Sequence, residues 1–471
     1  MHGIESSSSV GKETLGLRRM HQALAAREIT ASVLIEQTLR AAEASQRAVN
    51  AFATIDRDGA LAAASESDRR YGEGTARPLE GLPITVKDLI DTKNMDTCYG
   101  SQAYLGHRPA TDADIVRSLL DCGAIIIGKT TTHEFAWGVT TASECFGDTR
   151  NPIDPTRIPG GSSGGAAAAI AYGAVTAGIG SDTGGSVRIP AALCGLVGFK
   201  PTLGALSTRG VFPLSPTCDH VGLMGREVDD VLYLSDVLNP QTPRSDAPLS
   251  ARLGVVREIA PVSLATDVAI PFEAAVQRLE RTFSCVELDS ADLFHGAFDA
   301  FSSIVLIEGG VEHFRRHSWE RIVASYSPET VDRLRRAQKT DMHAYVSAQQ
   351  VKDRLITGLH EAMHSIDYVI LPTCPCIAPA LNTTSVNTGN WSGTVREALM
   401  TYTAPFNIAG FPAISIPIPV RNESLPASLQ IVARPGNDRA LLHIAQQIEA
   451  ILRHGDTIER QSTHSTTRRP A

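Results

Sequence analysis

Two glycine-flanked serine clusters are the residues of this chain whose types and spacing favour chemistry. The first is GGSSGG at Gly160–Gly165, and the second is GSDTGGSVR at Gly180–Arg188. Between them, Ala166–Tyr172 predicts a helix that starts directly after the glycines, and Ala174–Ile179 predicts a buried strand. Helix N-termini and glycine turns leave backbone N–H groups free. Such groups stabilise the oxyanion that forms when a serine attacks a carbonyl.

A serine nucleophile needs a base, and the candidate is a lysine. Between Lys87 and Ser186 the chain has only two histidines, His107 and His133. Lys87 follows Leu82–Val86, a short apolar stretch that predicts a strand. A lysine at the edge of such a strand can be desolvated, which lowers its pKa and makes it a usable base. The alternative is an ordinary surface lysine, since lysines are mostly exposed.

With this lysine and these two serine clusters together, the chain resembles the amidase signature family. The resemblance is carried by Lys87 in Val-Lys-Asp, by the GGSSGG run, by DTGGSVRIPA at 182–191 and by TYTAPFNIAGFPAISIP at Thr401–Pro417. The spacings also fit that family, with 75 residues from Lys87 to Ser162 and 24 from Ser162 to Ser186.

The resemblance implies a Ser–cis-Ser–Lys catalytic triad. Ser186 would be the nucleophile, and Ser162 would carry the proton between Ser186 and Lys87. A cis peptide between Gly161 and Ser162 would hold the second serine in place. The reaction would need no metal and no organic cofactor. The oxyanion hole would consist of the backbone N–H groups of Thr183, Gly184, Gly185 and Ser186.

The resemblance covers the chain from about Glu13 to about Glu449 and implies one large α/β domain. We expect a large mixed, mostly parallel sheet covered by helices on both faces, because predicted strands and helices alternate. The domain would span residues 13–453, with the signature core at about 81–201 and a variable lobe at about 250–365 that shapes the substrate mouth. Outside it we predict a flexible arm at 1–12 and a disordered tail at 454–471, and within it a linker at Pro240–Pro248.

The predicted elements follow from apolar periodicity and from capping residues. Predicted helices are Glu13–Arg27, Ala31–Ala44 with Thr30 as N-cap, Gly59–Arg70, Asp112–Cys122 and Arg439–Leu452. Predicted strands are Ala51–Ile55, Leu82–Val86, Ala124–Gly128, Arg252–Arg257, Asp367–Pro372 and Ala413–Pro419.

Thr132–Thr141 resembles the family segment that borders the acyl pocket. Trp137 would offer a flat wall, Glu134 would accept hydrogen bonds from amino groups, and Ser163 completes the predicted substrate-binding set. The substrate would then be a small amide or a ureide, such as a urea-, biuret- or guanylurea-like compound. In the alternative interpretation Phe135 and Trp137 are core residues and Glu134 caps a helix.

Three other functions compete with a stand-alone amidase. The chain also resembles the A subunit of a tRNA-dependent amidotransferase, which releases ammonia from glutamine, although no segment in 250–400 matches its glutamine-binding stretch. Ser162 in G-x-S-x-G could instead be the nucleophile of an α/β-hydrolase esterase with Asp219 and His220. The prolines of 151–159 argue against the strand that such an elbow needs. Intact Lys87, Ser162 and Ser186 argue against a non-catalytic paralogue.

Three smaller patterns have a structural explanation. Gly123–Thr130 matches the sequence pattern of a P-loop, but the residues Ala-Ile-Ile-Ile between its glycines predict a core strand. His313 and His317 lie four residues apart on a predicted helix, where a solvated face is the alternative to a metal site. Cys374-Pro-Cys376 lacks a second pair at zinc-ligand spacing, so we predict no metal site.

Composition and charge restrict the classes of binding partner and the compartment that we expect for this protein. The 471 residues are 43% hydrophobic and carry a net charge of −8 from 43 basic and 51 acidic residues, which argues against non-specific nucleic-acid binding. The polar N-terminal stretch and the lack of a long apolar run predict neither a signal peptide nor a membrane span. Scattered cysteines are typical of a reducing cytosol. We therefore expect a cytoplasmic enzyme, with a homodimer as the candidate assembly.

Overall fold

The computed structural model describes residues 15–240, 250–420 and 425–465. The predicted arm at 1–12 and all of the predicted linker except Pro240 lie outside these residues, as do positions 466–471. No helix in the described ranges is both long enough and apolar enough to cross a bilayer.

The core is an eleven-stranded sheet in the order β1-β3-β2-β4-β6-β5-β12-β13-β9-β7-β8, beside a separate β10–β11 hairpin. The strands are β1 (Phe52–Ile55), β2 (Pro83–Lys87), β3 (Ile125–Thr130), β4 (Ala177–Asp182), β5 (Val197–Lys200), β6 (His220–Gly225), β7 (Arg252–Val255), β8 (Ser284–Glu287), β9 (Tyr368–Pro372), β10 (Ser385–Thr388), β11 (Trp391–Thr394), β12 (Ala413–Ile418) and β13 (Ala427–Val432).

The large mixed sheet is confirmed, but the expectation that it is mostly parallel is wrong. Four described strand pairs of this sheet are parallel (β2–β3, β2–β4, β7–β8 and β7–β9). Six are antiparallel (β1–β3, β4–β6, β5–β6, β5–β12, β12–β13 and β9–β13). The alternation of strands and helices in the sequence predicts where the strands lie along the chain. It does not predict whether neighbouring strands are parallel, because strand direction depends on how each connection crosses the sheet.

Helices pack on both faces of the sheet. Along β9 and β13, Ile370 and Ile431 belong to one apolar core, and Val369 and Val432 to the other. Neighbouring residues of a strand point to opposite faces, so each face has its own core. The helices are α1 (Leu17–Ala25), α2 (Ala31–Val49), α3 (Arg57–Glu73), α4 (Asp114–Asp121), α5 (Gly164–Tyr172), α6 (Arg188–Leu193), α7 (Val228–Leu238), α8 (Thr266–Leu279), α9 (Ala297–Arg316), α10 (Trp319–Ser325), α11 (Pro328–Ala337), α12 (Met342–Ala362), α13 (Val395–Thr401), α14 (Pro405–Ile408) and α15 (Asp438–Ser465).

The lobe predicted at about 250–365 is continuous with the sheet at its start. Strands β7 and β8 form one edge of the main sheet, and α9, α11 and α12 contribute to the second apolar core. At the other end of the chain, α15 continues to Ser465, so it enters the segment predicted to be a tail. The segment that resembles a P-loop is largely the buried strand β3.

The catalytic candidates lie where three elements end or begin. Strand β2 ends at Lys87 and runs parallel to β4, which ends at Asp182. Because parallel neighbours have their carboxyl ends at the same edge of a sheet, the two residues lie on one side of the molecule. Helix α5 begins at Gly164, directly after the first serine pair. The fold thus brings together three segments that are distant in the sequence.

Candidate active site

Lys87 is a buried lysine held by two serine hydroxyls. Its Nζ lies 2.7 Å from Oγ of Ser162 and 2.8 Å from Oγ of Ser181. Burial lowers the pKa of Lys87 to about 7, although the carboxylates of Asp182 and Asp219 act in the opposite direction. A substantial fraction of the amine is therefore neutral near pH 7, which a general base requires.

The first serine cluster is fixed by its backbone. The peptide bond between Gly161 and Ser162 is cis, as the resemblance implied. A side chain at Gly161 would lie within 2.8–2.9 Å of the backbone of Val139 and Thr140, so only glycine fits there. Thr141 Oγ1 donates to the carbonyl of Gly160 at 2.8 Å.

The second cluster turns around the carboxylate of Asp182. Its oxygens accept the backbone N–H groups of Gly185 at 2.8 Å and Val187 at 3.1 Å. Burial would raise the pKa of Asp182, but the Arg188 guanidinium and its hydrogen bonds hold that pKa well below the usual range. Gly185 has φ of +126°, which a side chain rarely tolerates. The carbonyl of Ser186 accepts the N–H of Ser163 at 3.1 Å, which ties the two serine clusters together.

Arg188 is fully buried and locks this turn against the other half of the sheet. It contacts both oxygens of Asp182 at 2.9 and 3.1 Å. Its remaining donors reach Asn407 at 2.6 Å, Gln430 at 2.6 Å and the carbonyl of Thr403 at 3.1 Å. The guanidinium is therefore saturated and positions the loop that carries Ser186.

Ser186 lines a narrow cleft together with Thr183 and Gly184. Among the described residues, the hydroxyl of Ser186 has no hydrogen-bond partner. The hydrogen bond from Ser186 to Ser162 that proton transfer requires would therefore form when a bound substrate orients the nucleophile.

Three of the four amides predicted for the oxyanion hole can serve there. The N–H groups of Thr183, Gly184 and Ser186 have no acceptor within the described ranges. The N–H of Gly185 donates to Asp182 instead, which corrects that part of the prediction. Gly185 is needed for its backbone conformation rather than for its amide.

A cavity of about 630 Å³ lies next to the cleft. Trp137 and Arg396 line both spaces, so they stand between the nucleophile and the cavity. Trp137 stacks on His313 with ring centroids 5.8 Å apart. Trp137 is also a buried member of the second apolar core, as in the alternative interpretation, so its role toward a substrate stays a prediction.

The other two predicted substrate-binding residues have different positions. Glu134 accepts hydrogen bonds from the N–H and hydroxyl of Ser327, from Thr330 and from Ser101. It thus holds Ser327, the N-cap residue of α11, which is close to the helix-capping role of the alternative interpretation. Both of its carboxylate oxygens are occupied by these contacts. Ser163 is buried and donates to the carbonyl of Ser181 at 3.2 Å, so it supports the backbone. Neither residue lines the cleft or the large cavity.

Two residues of the site were missed in the sequence. Ser181, whose hydroxyl also contacts Lys87, lies two residues beyond the strand predicted at Ala174–Ile179, and the structure places it inside the buried strand β4. A polar residue in a buried strand is the signal that could have identified it. Arg396 follows a stretch without motifs, and no pattern pointed to it.

The competing arrangements are not formed. His220 Nδ1 lies 2.7 Å from the Cys218 carbonyl, and its Nε2 lies 3.2 Å from Nζ of Lys200, so it does not serve Ser162. His317 contacts the Tyr104 hydroxyl at 2.8 Å. Within the described ranges, no three histidine, cysteine or carboxylate side chains are placed to hold a metal ion.

Known proteins are similar to this chain over most of its length. Residues 33–442 match the model of the Amidase family. The A subunit of glutamyl-tRNA(Gln) amidotransferase from Chloroflexus aurantiacus is 32% identical, over 91% of this chain and 95% of that protein. A crystal structure of an amidase is 32% identical, with a TM-score of 0.86 over 93% of this chain and all of the other. A structure described as a vestigial protein complex that reveals the origins of an s-triazine catabolic enzyme is 30% identical, with a TM-score of 0.83 over 94% of this chain and 98% of the other. The chain therefore belongs to the amidase signature family, whose motifs surround Lys87, Ser162 and Ser186.

Proposed function

We propose that this protein hydrolyses the C–N bond of a small amide through a serine acyl-enzyme at Ser186. The observation that supports this most strongly is the 2.7 Å contact between Nζ of Lys87 and Oγ of Ser162, with the pKa of Lys87 lowered to about 7. A buried, partly neutral lysine beside a serine is the arrangement that an activated hydroxyl nucleophile needs.

The proposed reaction uses this geometry. Oγ of Ser186 attacks the amide carbon while its proton passes to Ser162 and the proton of Ser162 passes to Lys87. The tetrahedral oxyanion accepts the free N–H groups of Thr183, Gly184 and Ser186. The protons return through Ser162 to the leaving nitrogen, so that ammonia or an amine departs. Water then cleaves the acyl-enzyme along the same path and leaves a carboxylic acid and free Ser186.

The test is ammonia release by the purified chain from a panel of small amides, including diamides, monoamides of dicarboxylic acids, glutamine and the ureides expected from the sequence. Mass spectrometry after rapid quenching should show an acyl group on the peptide that contains Ser186. Active protein without this adduct under burst conditions, or full activity in Ser186→Ala, would contradict the proposal.

A second candidate is the A subunit of a tRNA-dependent amidotransferase, in which glutamine supplies the ammonia. It is supported by the 32% identity to the Chloroflexus aurantiacus protein over 95% of that protein's length. The two candidates share the same chemistry at Ser186. They differ in assay: ammonia release from glutamine only in the presence of partner subunits favours the amidotransferase, whereas turnover of other amides by the chain alone favours the amidase.

A further inference from the structure

Three arginines line the cavity outside the nucleophile cleft. Arg333 and Arg336 come from α11, and Arg396 comes from α13. Arg333 pairs with Glu329 at 2.5 Å and donates to the carbonyl of Trp137. Arg336 lies 3.4 Å from the carboxylate of Asp332. Two of the three cations therefore already have a carboxylate partner in the protein.

Arg396 has none. In the part of the chain that the structure describes, no carboxylate lies within ion-pair distance of its guanidinium. Its contacts are a hydrogen bond to the Ser302 hydroxyl at 3.2 Å and the rings of Phe298 and Phe301, whose centroids lie 5.5 and 5.9 Å away. A guanidinium carries five N–H donors, so most of them remain available.

The charge of Arg396 persists at neutral pH. Burial, and to a smaller extent the neighbouring Arg333 and Arg336, lower the pKa of Arg396 to about 10, although the more distant carboxylates of Glu329 and Glu397 act in the opposite direction. Arg396 is therefore still protonated at pH 7. A partly buried cation without a counterion is unfavourable, and two like charges nearby add to this. A bound anion would relieve both effects.

We propose, on the basis of the amidase function above, that Arg396 binds a carboxylate of the substrate and so selects small amides that carry an anionic group. Arg396 lines both the cleft of Ser186 and the cavity, so the carboxylate must lie only a few atoms from the reacting carbonyl. Arg333 and Arg336 are already paired with Glu329 and Asp332, so Arg396 is the arginine of this cavity that is left to bind an anion. Fork-like pairing with a carboxylate is the recognition mode to which arginine is best suited.

The experiment compares monoamides with diamides of the same shape: malonamate with malonamide, succinamate with succinamide and glutaramate with glutaramide. Each pair exchanges one carboxylate for a neutral amide and leaves the scissile bond unchanged. The wild type should prefer the anion in kcat/KM by about tenfold or more for at least one chain length. In Arg396→Gln the anion should lose about 30-fold or more, mainly through KM, and the diamide should change less than about threefold.

Arg335→Gln is the matched control. Arg335 lies on α11, pairs with Asp332 at 3.7 Å and lies over the ring of Trp319, and it does not line the cavity. Its substitution should leave the preference between anion and diamide unchanged. Equal turnover of the two substrates by the wild type, or a preference that survives in Arg396→Gln, would overturn the inference.

A binding measurement tests the inference without relying on turnover, and it also applies if Arg396→Gln does not fold. Calorimetry should detect malonate, succinate or glutarate binding to the Ser186→Ala protein at millimolar concentration or below, and weaker binding when Arg396→Lys is added. Failure of all three dianions to bind would overturn the inference. If Ser186→Ala remains fully active, the proposed mechanism is wrong, and the calorimetry still tests carboxylate binding independently. If Ser186→Ala is inactive but no anion binds to it, only the role proposed for Arg396 is wrong.

Discussion

The catalytic centre and the cavity outside it differ in the side chains that line them and in the elements that supply those side chains. Around Lys87, short polar side chains and backbone amides from β2, β4 and the turn after β4 are buried, and Asp182 and Arg188 neutralise each other at 2.9 Å. The cavity is lined by long charged side chains from α11 and α13, and Arg336 keeps 63% of its side chain exposed. The catalytic centre is thus built on elements of the sheet, whereas the side chains to which we assign substrate choice in the proposal above come from helices.

The electrostatic difference has the same origin. In the centre each charge is either paired or suppressed, because an uncompensated charge in a dry site is costly. The cavity tolerates an unpaired Arg396 because it is open to water and, in the proposal above, to an anionic ligand. Substitutions should therefore separate into effects on the rate of chemistry and effects on binding.

The largest effect is expected at the nucleophile. Ser186→Ala removes the attacking oxygen and should lower kcat by about 10³-fold or more. Because the side chain only lines the cleft, the circular dichroism spectrum and the melting temperature should stay close to those of the wild type. Residual activity above a tenth of the wild type would place the nucleophile elsewhere.

The next largest effect concerns the base and its pH dependence. The pKa of Lys87 is lowered to about 7, and the neutral amine is the active form, so kcat/KM should rise with pH, reach half of its plateau near the pKa and level off about one pH unit above it. At pH 6 it should be roughly tenfold below the plateau. Lys87→Met should lower the plateau by about 10²-fold or more. A flat profile between pH 5.5 and 9, with chemistry shown to be rate-limiting, would argue against a lysine base.

A smaller effect distinguishes the two serines that flank the centre. Ser181→Ala removes a hydrogen bond of 2.8 Å to Lys87 and should lower kcat about tenfold, with KM unchanged and a shifted pH midpoint. Ser163→Ala removes a contact to a backbone carbonyl only and should change kcat less than about threefold. Equal losses in both variants would mean that Ser181 acts through packing.

The smallest effect is expected outside the centre, at Glu134. Glu134→Gln weakens the hydrogen bonds to Ser327 and Thr330 at the start of α11 and should lower the free energy of unfolding by about 1 kcal/mol, as measured in urea. The ranking of substrates should stay the same, because Glu134 lines neither the cleft nor the large cavity. A changed ranking with unchanged stability would restore Glu134 as a substrate-binding residue.

Local patterns were enough for much of this protein. The apolar stretch before Lys87 predicts β2, the alanines after the glycines predict α5, and Thr30 caps α2 through its side chain as expected. The family motifs supplied Ser162 and Ser186, since glycines beside a serine leave a signature within a few residues.

Contacts between distant parts of the chain account for what the patterns did not show. Ser181 meets Lys87 across 94 residues, and Ser327 meets Glu134 across 193, so neither pairing leaves a local period or spacing. The direction of β5, β6 and β12 likewise depends on how their connections cross the sheet. Arg396 reaches the cleft of Ser186 only because α13 packs against α9 over the second core. A side chain's role is readable from the sequence when its partners are near in the chain, and it depends on the tertiary structure when they are not.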